Sequence, residues 1–109
     1  MAYDKGLAER VRSEIREYPQ HEEKKMFGGI GFLMHGNMAC GVHGTDLIVR
    51  VGPDRYKESL AADQTKEFDM TGRPMTGWIV VMPAGYAEDK SLRSWISHGV
   101  DYALSLPPK

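Results

Sequence analysis

The sequence predicts an α+β fold in which an antiparallel sheet of about five strands packs against N-terminal, middle and C-terminal helices. Three observations support this prediction. Apolar residues recur at helical spacing near both ends of the chain, the segments between them have the short apolar runs of strands, and glycine-containing turns rather than long crossovers separate those runs. Because the chain has 109 residues, we expect one domain spanning residues 1–109.

The first predicted element is a helix from Asp4 to Tyr18. Its apolar residues recur every three or four positions and therefore share one face: Leu7, Val11, Ile15 and Tyr18. The Asp4 side chain can accept hydrogen bonds from backbone N–H groups at the start of the helix. Pro19 is expected to end the helix, because the residue before a proline is pushed out of the helical region.

Three apolar segments between Lys25 and Gly52 predict an antiparallel meander. They are separated by Gly36-Asn37 and Gly44-Thr45, which favour hairpin turns because glycine and asparagine tolerate positive φ. Two-residue turns at these places give these pairs: His35 with Met38, Leu33 with Cys40, and Cys40 with Val49. One face of the sheet then carries Leu33, Met38, Cys40, Val42, Leu47, Val49 and Val51. A slip of one residue in a turn would change this list.

The second half of the chain predicts a short helix, two more strands and a long final helix. Pro53 opens a helix that runs to about Ala62, with Tyr56 and Leu60 in contact with the core. The next segments are a weak strand over 66–70, a loop over 71–74, a strong strand over 76–82 and a polar connection over 83–89. A C-terminal helix is predicted from apolar residues at helical spacing: Leu92, Trp95, Ile96, Val100, Ala103 and Leu106. Pro107 and Pro108 are expected to end it.

Composition and charge favour a soluble globular protein of the cytoplasm. Apolar residues make up 41% of the chain and charged residues 27%, with a formal net charge of -1, so no global field draws it to nucleic acid or to anionic lipid. No apolar run approaches the roughly 20 residues that span a bilayer, and the N-terminus does not resemble a secretory signal. The single Cys40 fits a reducing compartment.

No residue pattern in the sequence predicts a catalytic residue, a metal site or a cofactor site. The glycine-rich segment 28–31 fits neither the dinucleotide nor the phosphate-loop pattern, because a strand follows it. Cys40 and His43 project to opposite faces of a strand, so the histidines near this cysteine do not form a tetrahedral zinc site. Cys40 itself is interpreted as a buried, inert thiol.

The cationic residues in or beside the strands are the strongest candidates for a contact surface. Arg50 interrupts an otherwise apolar strand, and it must reach water, pair with a carboxylate such as Asp69, or face a ligand, because a buried unpaired charge is too costly. Of these three outcomes, an ion pair is the favoured one. The candidate interaction patch consists of Lys24, Lys25, Arg50, Arg73 and Trp78.

Five segments together resemble one protein family. They are EKKMFGG at 23–29, GNM at 36–38 with CGV at 40–42, LIVRVGP at 47–53, FDMTGRPMTGW at 68–78, and LRSW at 92–95. This set is similar to the TfoX/Sxy N-terminal domain family over nearly the whole chain. The resemblance implies a sandwich-like domain of helices and sheet, and a link to bacterial regulators of natural competence that work with a cyclic-AMP-receptor type of activator. The full-length regulators carry a second, C-terminal domain, and we expect this chain to be a stand-alone domain without it.

The resemblance supplies no established catalytic residues, so the leading hypothesis is a non-enzymatic protein-interaction module of transcription regulation. Its partner would be a protein, such as a component of the transcription machinery. Two other classes stay open: direct nucleic-acid binding through the same cations, which the net charge disfavours, and binding of a small molecule between sheet and helices. A homodimer formed through a sheet edge is compatible with the sequence, and no membrane contact is expected.

Overall fold

Six antiparallel strands and four helices make up the fold. The computed structural model describes residues 3–18, 21–26, 28–69 and 75–108. The strands are β1 (His21–Met26), β2 (Gly29–Met34), β3 (Asn37–His43), β4 (Asp46–Arg50), β5 (Thr65–Glu67) and β6 (Trp78–Val81), in the spatial order β1-β2-β3-β4-β6-β5. The helices are α1 (Lys5–Ile15), α2 (Tyr56–Leu60), α3 (Pro83–Tyr86) and α4 (Asp89–Ser105). The predicted α+β class with an antiparallel sheet is confirmed.

Strand β1 is the one strand of the described sheet that the sequence did not predict, and it raises the strand count from about five to six. Residues His21–Lys25 are all exposed, because β1 lies at the edge of the sheet and pairs only with β2. A strand with no buried face leaves no alternation of apolar and polar residues to detect. Charged side chains such as Lys24 are typical of an edge strand that must not pair with a second chain.

The turn between β2 and β3 lies one residue earlier than predicted. Met34 pairs with Asn37, so His35 and Gly36 form the turn, and both have positive φ, at 53° and 82°. This is the backbone that the favoured two-residue hairpin turn requires. The predicted pairing of His35 with Met38 is therefore wrong.

A β-bulge at Ala39 shifts the register back. Cys40 lies opposite Phe32 and Val49, so its predicted pairing with Val49 is confirmed and its pairing with Leu33 is wrong. Leu33 and Met38 thus lie on the face opposite Cys40, because the bulge adds one residue to β3 only. The core residues of the strands, together with Val51 directly after β4, are Ile30, Phe32, Met34, Ala39, Cys40, Val42, Leu47, Val49, Val51, Ile79 and Val81.

Helix α1 forms with the predicted cap and the predicted buried face. Asp4 Oδ1 accepts a hydrogen bond from the Leu7 backbone N at 3.1 Å. The helix ends at Ile15 rather than Tyr18, although Tyr18 still packs against the core. The predicted role of Pro19 concerns a residue outside the described ranges.

The elements between β4 and α4 are predicted in outline, but α3 is missed. A 3₁₀ turn, Pro53–Arg55, leads into α2, and Tyr56 and Leu60 pack against the core as expected. Strand β5 is shorter than the predicted strand, and the predicted loop over 71–74 lies outside the described residues. The connection predicted as polar contains α3, which starts at Pro83 and buries Tyr86.

Helix α4 packs directly on the bulge of β3. A Cβ placed at Gly99 would lie 2.3 Å from the Ala39 carbonyl oxygen and 3.2 Å from Val49 Cγ1. Only glycine leaves room for this approach, so Gly99 sets how deeply the helix lies on the sheet. Over the described ranges, no helix is both long enough and apolar enough to cross a membrane.

We predict that Gly99→Ala destabilises the fold by about 2 kcal/mol, because the new methyl group forces α4 away from the Ala39 backbone. Alanine is the better helix former by about 1 kcal/mol, and this gain reduces the loss without reversing it. Urea unfolding followed by circular dichroism measures the change. Ser94→Ala, at an exposed position of the same helix, is the matched control and should stay within about 0.5 kcal/mol of the wild type. A Gly99→Ala protein as stable as this control would contradict the prediction.

Candidate functional site

Arg50 is held against two aromatic rings at one end of the sheet. It is the last residue of β4 and pairs directly with Trp78, the first residue of β6. The guanidinium carbon lies 5.2 Å from the centroid of the Trp78 ring and 5.3 Å from that of Tyr102, on α4. Both distances are typical of cation–π contacts. We call Arg50, Trp78 and Tyr102 the Arg50 cluster.

Two glycines bring Tyr102 to this place. A Cβ at Gly52 would lie 2.4 Å from Cδ1 of the Tyr102 ring, and Gly52 has a φ of 87°. The Gly77 carbonyl accepts hydrogen bonds from the backbone N of Val51 and of Gly52, at 2.8 Å and 3.0 Å. The two glycine segments therefore lie against each other, and the ring covers the space that a side chain at Gly52 would need.

On its other side, Trp78 contacts the segment that follows β5. The rings of Phe68 and Trp78 have their centroids 6.0 Å apart. The Met75 backbone N donates to the Phe68 carbonyl at 3.1 Å, and the Trp78 backbone N donates to the Met75 carbonyl at 3.0 Å. Met75 is itself exposed. The Arg50 cluster thus continues into a partly exposed apolar surface.

Arg50 forms no ion pair with any carboxylate side chain. All 15 Asp and Glu residues of the chain lie in the described ranges, where Arg10, Arg12 and Arg93 supply the arginine partners of every ion pair found. The favoured pairing of Arg50, with a carboxylate such as Asp69, is therefore not formed. Aromatic rings occupy its neighbourhood instead, and the Arg50 side chain has no hydrogen bond to any described residue.

A small open cleft lies next to Tyr102, between α4 and the start of the 3₁₀ turn. Its volume is about 190 Å³, and its lining residues are Val51, Gly52, Asp54, Arg55, His98, Asp101, Tyr102 and Ser105. The acidic and basic groups of this lining nearly balance. His98 packs edge-on against Trp95, with ring centroids 5.8 Å apart, and its buried Nδ1 has no hydrogen-bond partner among the described residues.

The structure brings together two of the five predicted patch residues. Arg50 and Trp78 are neighbours, whereas Lys24 and Lys25 lie exposed on β1, three strand spacings from β4 or about 14 Å. Successive residues of a strand point to opposite faces, so these two lysines do not share a face either. Arg73 lies outside the described residues.

Sequence reasoning missed Tyr102. A signal for it existed, since Trp95, His98 and Tyr102 recur at helical spacing beside the buried stripe of α4. That spacing predicts a second partly buried face on the helix. It does not reveal that the face meets Gly52 and Arg50, because the contact joins residues about fifty positions apart in the chain.

Cys40 is an inert group in this fold. Its side chain is buried among the strands, and this burial raises the pKa of the thiol to about 12. Within the described ranges, no group of three or more His, Cys, Asp and Glu side chains is arranged to hold a metal ion.

We predict that Cys40 in the folded protein resists alkylation by iodoacetamide at pH 8. Alkylation requires the thiolate, and a pKa of about 12 leaves almost none of it at this pH, in addition to the barrier of burial. Mass spectrometry should show labelling at least about a hundredfold slower than in the same protein unfolded in urea, where the thiol has its ordinary pKa and full exposure. Equal rates would contradict the burial.

We predict that Gly52→Ala disrupts the Arg50 cluster. The new methyl group would overlap the Tyr102 ring, and the backbone at φ 87° and ψ 161° is one that only glycine adopts readily. The side-chain Nε–Hε NMR signal of Arg50 should shift, together with the indole signal of Trp78. Gly44→Ala is the control, because Gly44 also has positive φ but nothing lies within 4 Å of its added Cβ. Unchanged Arg50 and Trp78 signals in Gly52→Ala would contradict the described contact.

Comparison with known proteins identifies the chain at the level of its family. No curated protein and no solved structure matches it. The model of one family, the TfoX N-terminal domain, matches residues 14–103, which include every strand, the Arg50 cluster and most of α4. This match confirms the resemblance seen in the sequence motifs, and the chain belongs to the TfoX N-terminal domain family.

Proposed function

We propose that this chain is a non-enzymatic protein-interaction module of transcription regulation, and that it contacts its partner through the Arg50 cluster. The observation that carries the proposal is the position of Arg50 over Trp78 and Tyr102, without an ion-pair partner. Arginine, tryptophan and tyrosine are the residues that most often dominate the binding energy of protein interfaces. The family match supports a domain of the kind found in competence regulators, so a component of the transcription machinery is the proposed partner.

The surroundings of the cluster also suit a protein partner. Trp78 and Tyr102 are partly exposed, and exposed Met75 lies on the segment next to Trp78. Methionine adapts its shape to different apolar surfaces, whereas the aromatic rings are rigid. Rigid anchors beside adaptable apolar groups are typical of a surface that binds another protein.

The two other classes have weaker support. The net charge is -1, and Lys24 lies about 14 Å from β4, so Lys24 and Arg50 do not form one compact cationic patch for a phosphate backbone. The cleft beside Tyr102, at about 190 Å³, is smaller than the roughly 300–1,000 Å³ of small-molecule sites, and a second open cleft, which Ile48 and Phe68 help to line, reaches only the lower end of that range at about 310 Å³. The family is not a known enzyme family, and Cys40 is not poised to react.

The proposal predicts that Arg50→Ala combined with Arg73→Ala weakens capture of the partner at least about tenfold without unfolding the domain. An arginine at the centre of an interface commonly contributes about 2 kcal/mol to the free energy of binding, and about 1.4 kcal/mol corresponds to a tenfold change in affinity. Tagged wild type and variant are used to capture proteins from a lysate of the source organism, at low and moderate salt and after nuclease treatment. Quantitative mass spectrometry compares the recovered proteins.

Arg16→Ala is the control, because Arg16 is an exposed arginine directly after α1 with no aromatic neighbour among the described contacts. Equal recovery of the captured proteins with the double variant and with the control would contradict the proposal. Material that leaves with nuclease, or with rising salt alone, would support nucleic-acid binding instead.

A further inference from the structure

We propose that the N–H groups of Arg50 bind one carboxylate side chain of the partner protein. This inference rests on the proposed function and specifies its chemistry. The Arg50 cluster would receive an Asp or Glu of the partner, and the cleft beside Tyr102 would accommodate the residues next to it.

The first argument is the unused hydrogen-bonding capacity of Arg50. A guanidinium carries five N–H donors in a planar fork that matches the two oxygens of a carboxylate. In the described part of the chain, Arg50 makes no side-chain hydrogen bond, and its two close contacts are with aromatic rings. Arg10 and Arg12 differ in this respect, since each donates to carboxylate oxygens within the fold.

The second argument is that the rings orient Arg50 before any partner arrives. Arg50 is only partly exposed, and Trp78 and Tyr102 restrict its long side chain. An arginine that is already ordered loses less conformational entropy on binding than a free surface arginine. Apolar rings also exclude water, which strengthens a charge-assisted hydrogen bond formed beside them.

The third argument favours one carboxylate rather than a polyanion. The adjacent cleft is lined by Asp54 and Asp101 as well as by Arg55 and His98. Successive phosphates of a nucleic acid would meet these two carboxylates, and like charges at short range repel. A peptide segment with a single acidic residue placed at Arg50 avoids that repulsion.

The test uses two synthetic peptides, acetyl-Gly-Gly-Glu-Gly-Gly-amide and the same peptide with Gln in place of Glu. Each is titrated into ¹⁵N-labelled full chain, and the Nε–Hε signal of Arg50 is followed by NMR. We expect dissociation constants on the order of millimolar or weaker, with the Glu peptide binding at least about tenfold more tightly. Oligothymidylate serves as the phosphate probe.

Arg50→Lys retains the charge but loses the planar fork, and it should reduce the preference for Glu over Gln, followed on the Trp78 indole signal, to less than about threefold. Arg16→Lys should leave the preference unchanged. Equal binding of the two peptides, or tighter binding of oligothymidylate than of the Glu peptide, would overturn the inference. If that occurred while the Arg50→Ala and Arg73→Ala double variant still lost partner capture, the proposed function would stand alone. A clear Glu preference together with undiminished capture by the double variant would instead contradict the proposed function.

Discussion

The close contact between α4 and β3 is the constraint on which the rest of the structure depends. Ala39 is the extra residue of the bulge, and its carbonyl group faces Gly99 with no room for a side chain between them. The side chain of Asn37, at the start of β3, also donates to the Pro107 carbonyl at 3.0 Å, beyond the end of α4. The helix is thereby fixed in depth at Gly99 and in direction at its C-terminal end, so Tyr102 meets the end of the sheet.

The Arg50 cluster is a consequence of that fixed helix. Strand pairing sets Arg50 beside Trp78. The chain leaves β4 at Gly52 and enters β6 after Gly77, and both glycines have the positive φ that other residues rarely adopt. Tyr102 then fills the space left by the missing side chain at Gly52. Three separate stretches of the chain therefore hold one arginine.

Membership of the TfoX N-terminal domain family agrees with this arrangement. The matched residues 14–103 contain the glycine-bounded ends of β4 and β6 as well as Tyr102. Two of the segments that carry the resemblance, 47–53 and 68–78, include the residues that form the two strand ends at Arg50 and Trp78. Gly52 and Gly77 therefore have a physical role in placing the cluster.

The sequence by itself determined the elements in which apolar residues repeat with the period of a helix or strand, because that repeat marks the buried face. The capped helix at Asp4, the strand around Val49 and the C-terminal helix each bury a regular face, and periodicity reports such faces directly. Only the tertiary structure decided the rest. The edge strand β1 has no buried face to leave a pattern, and the register of β3 depends on a bulge that α4 covers. The partners of Arg50 were settled by contacts between distant segments, because strand pairing and helix depth, rather than local sequence, determine which side chains meet.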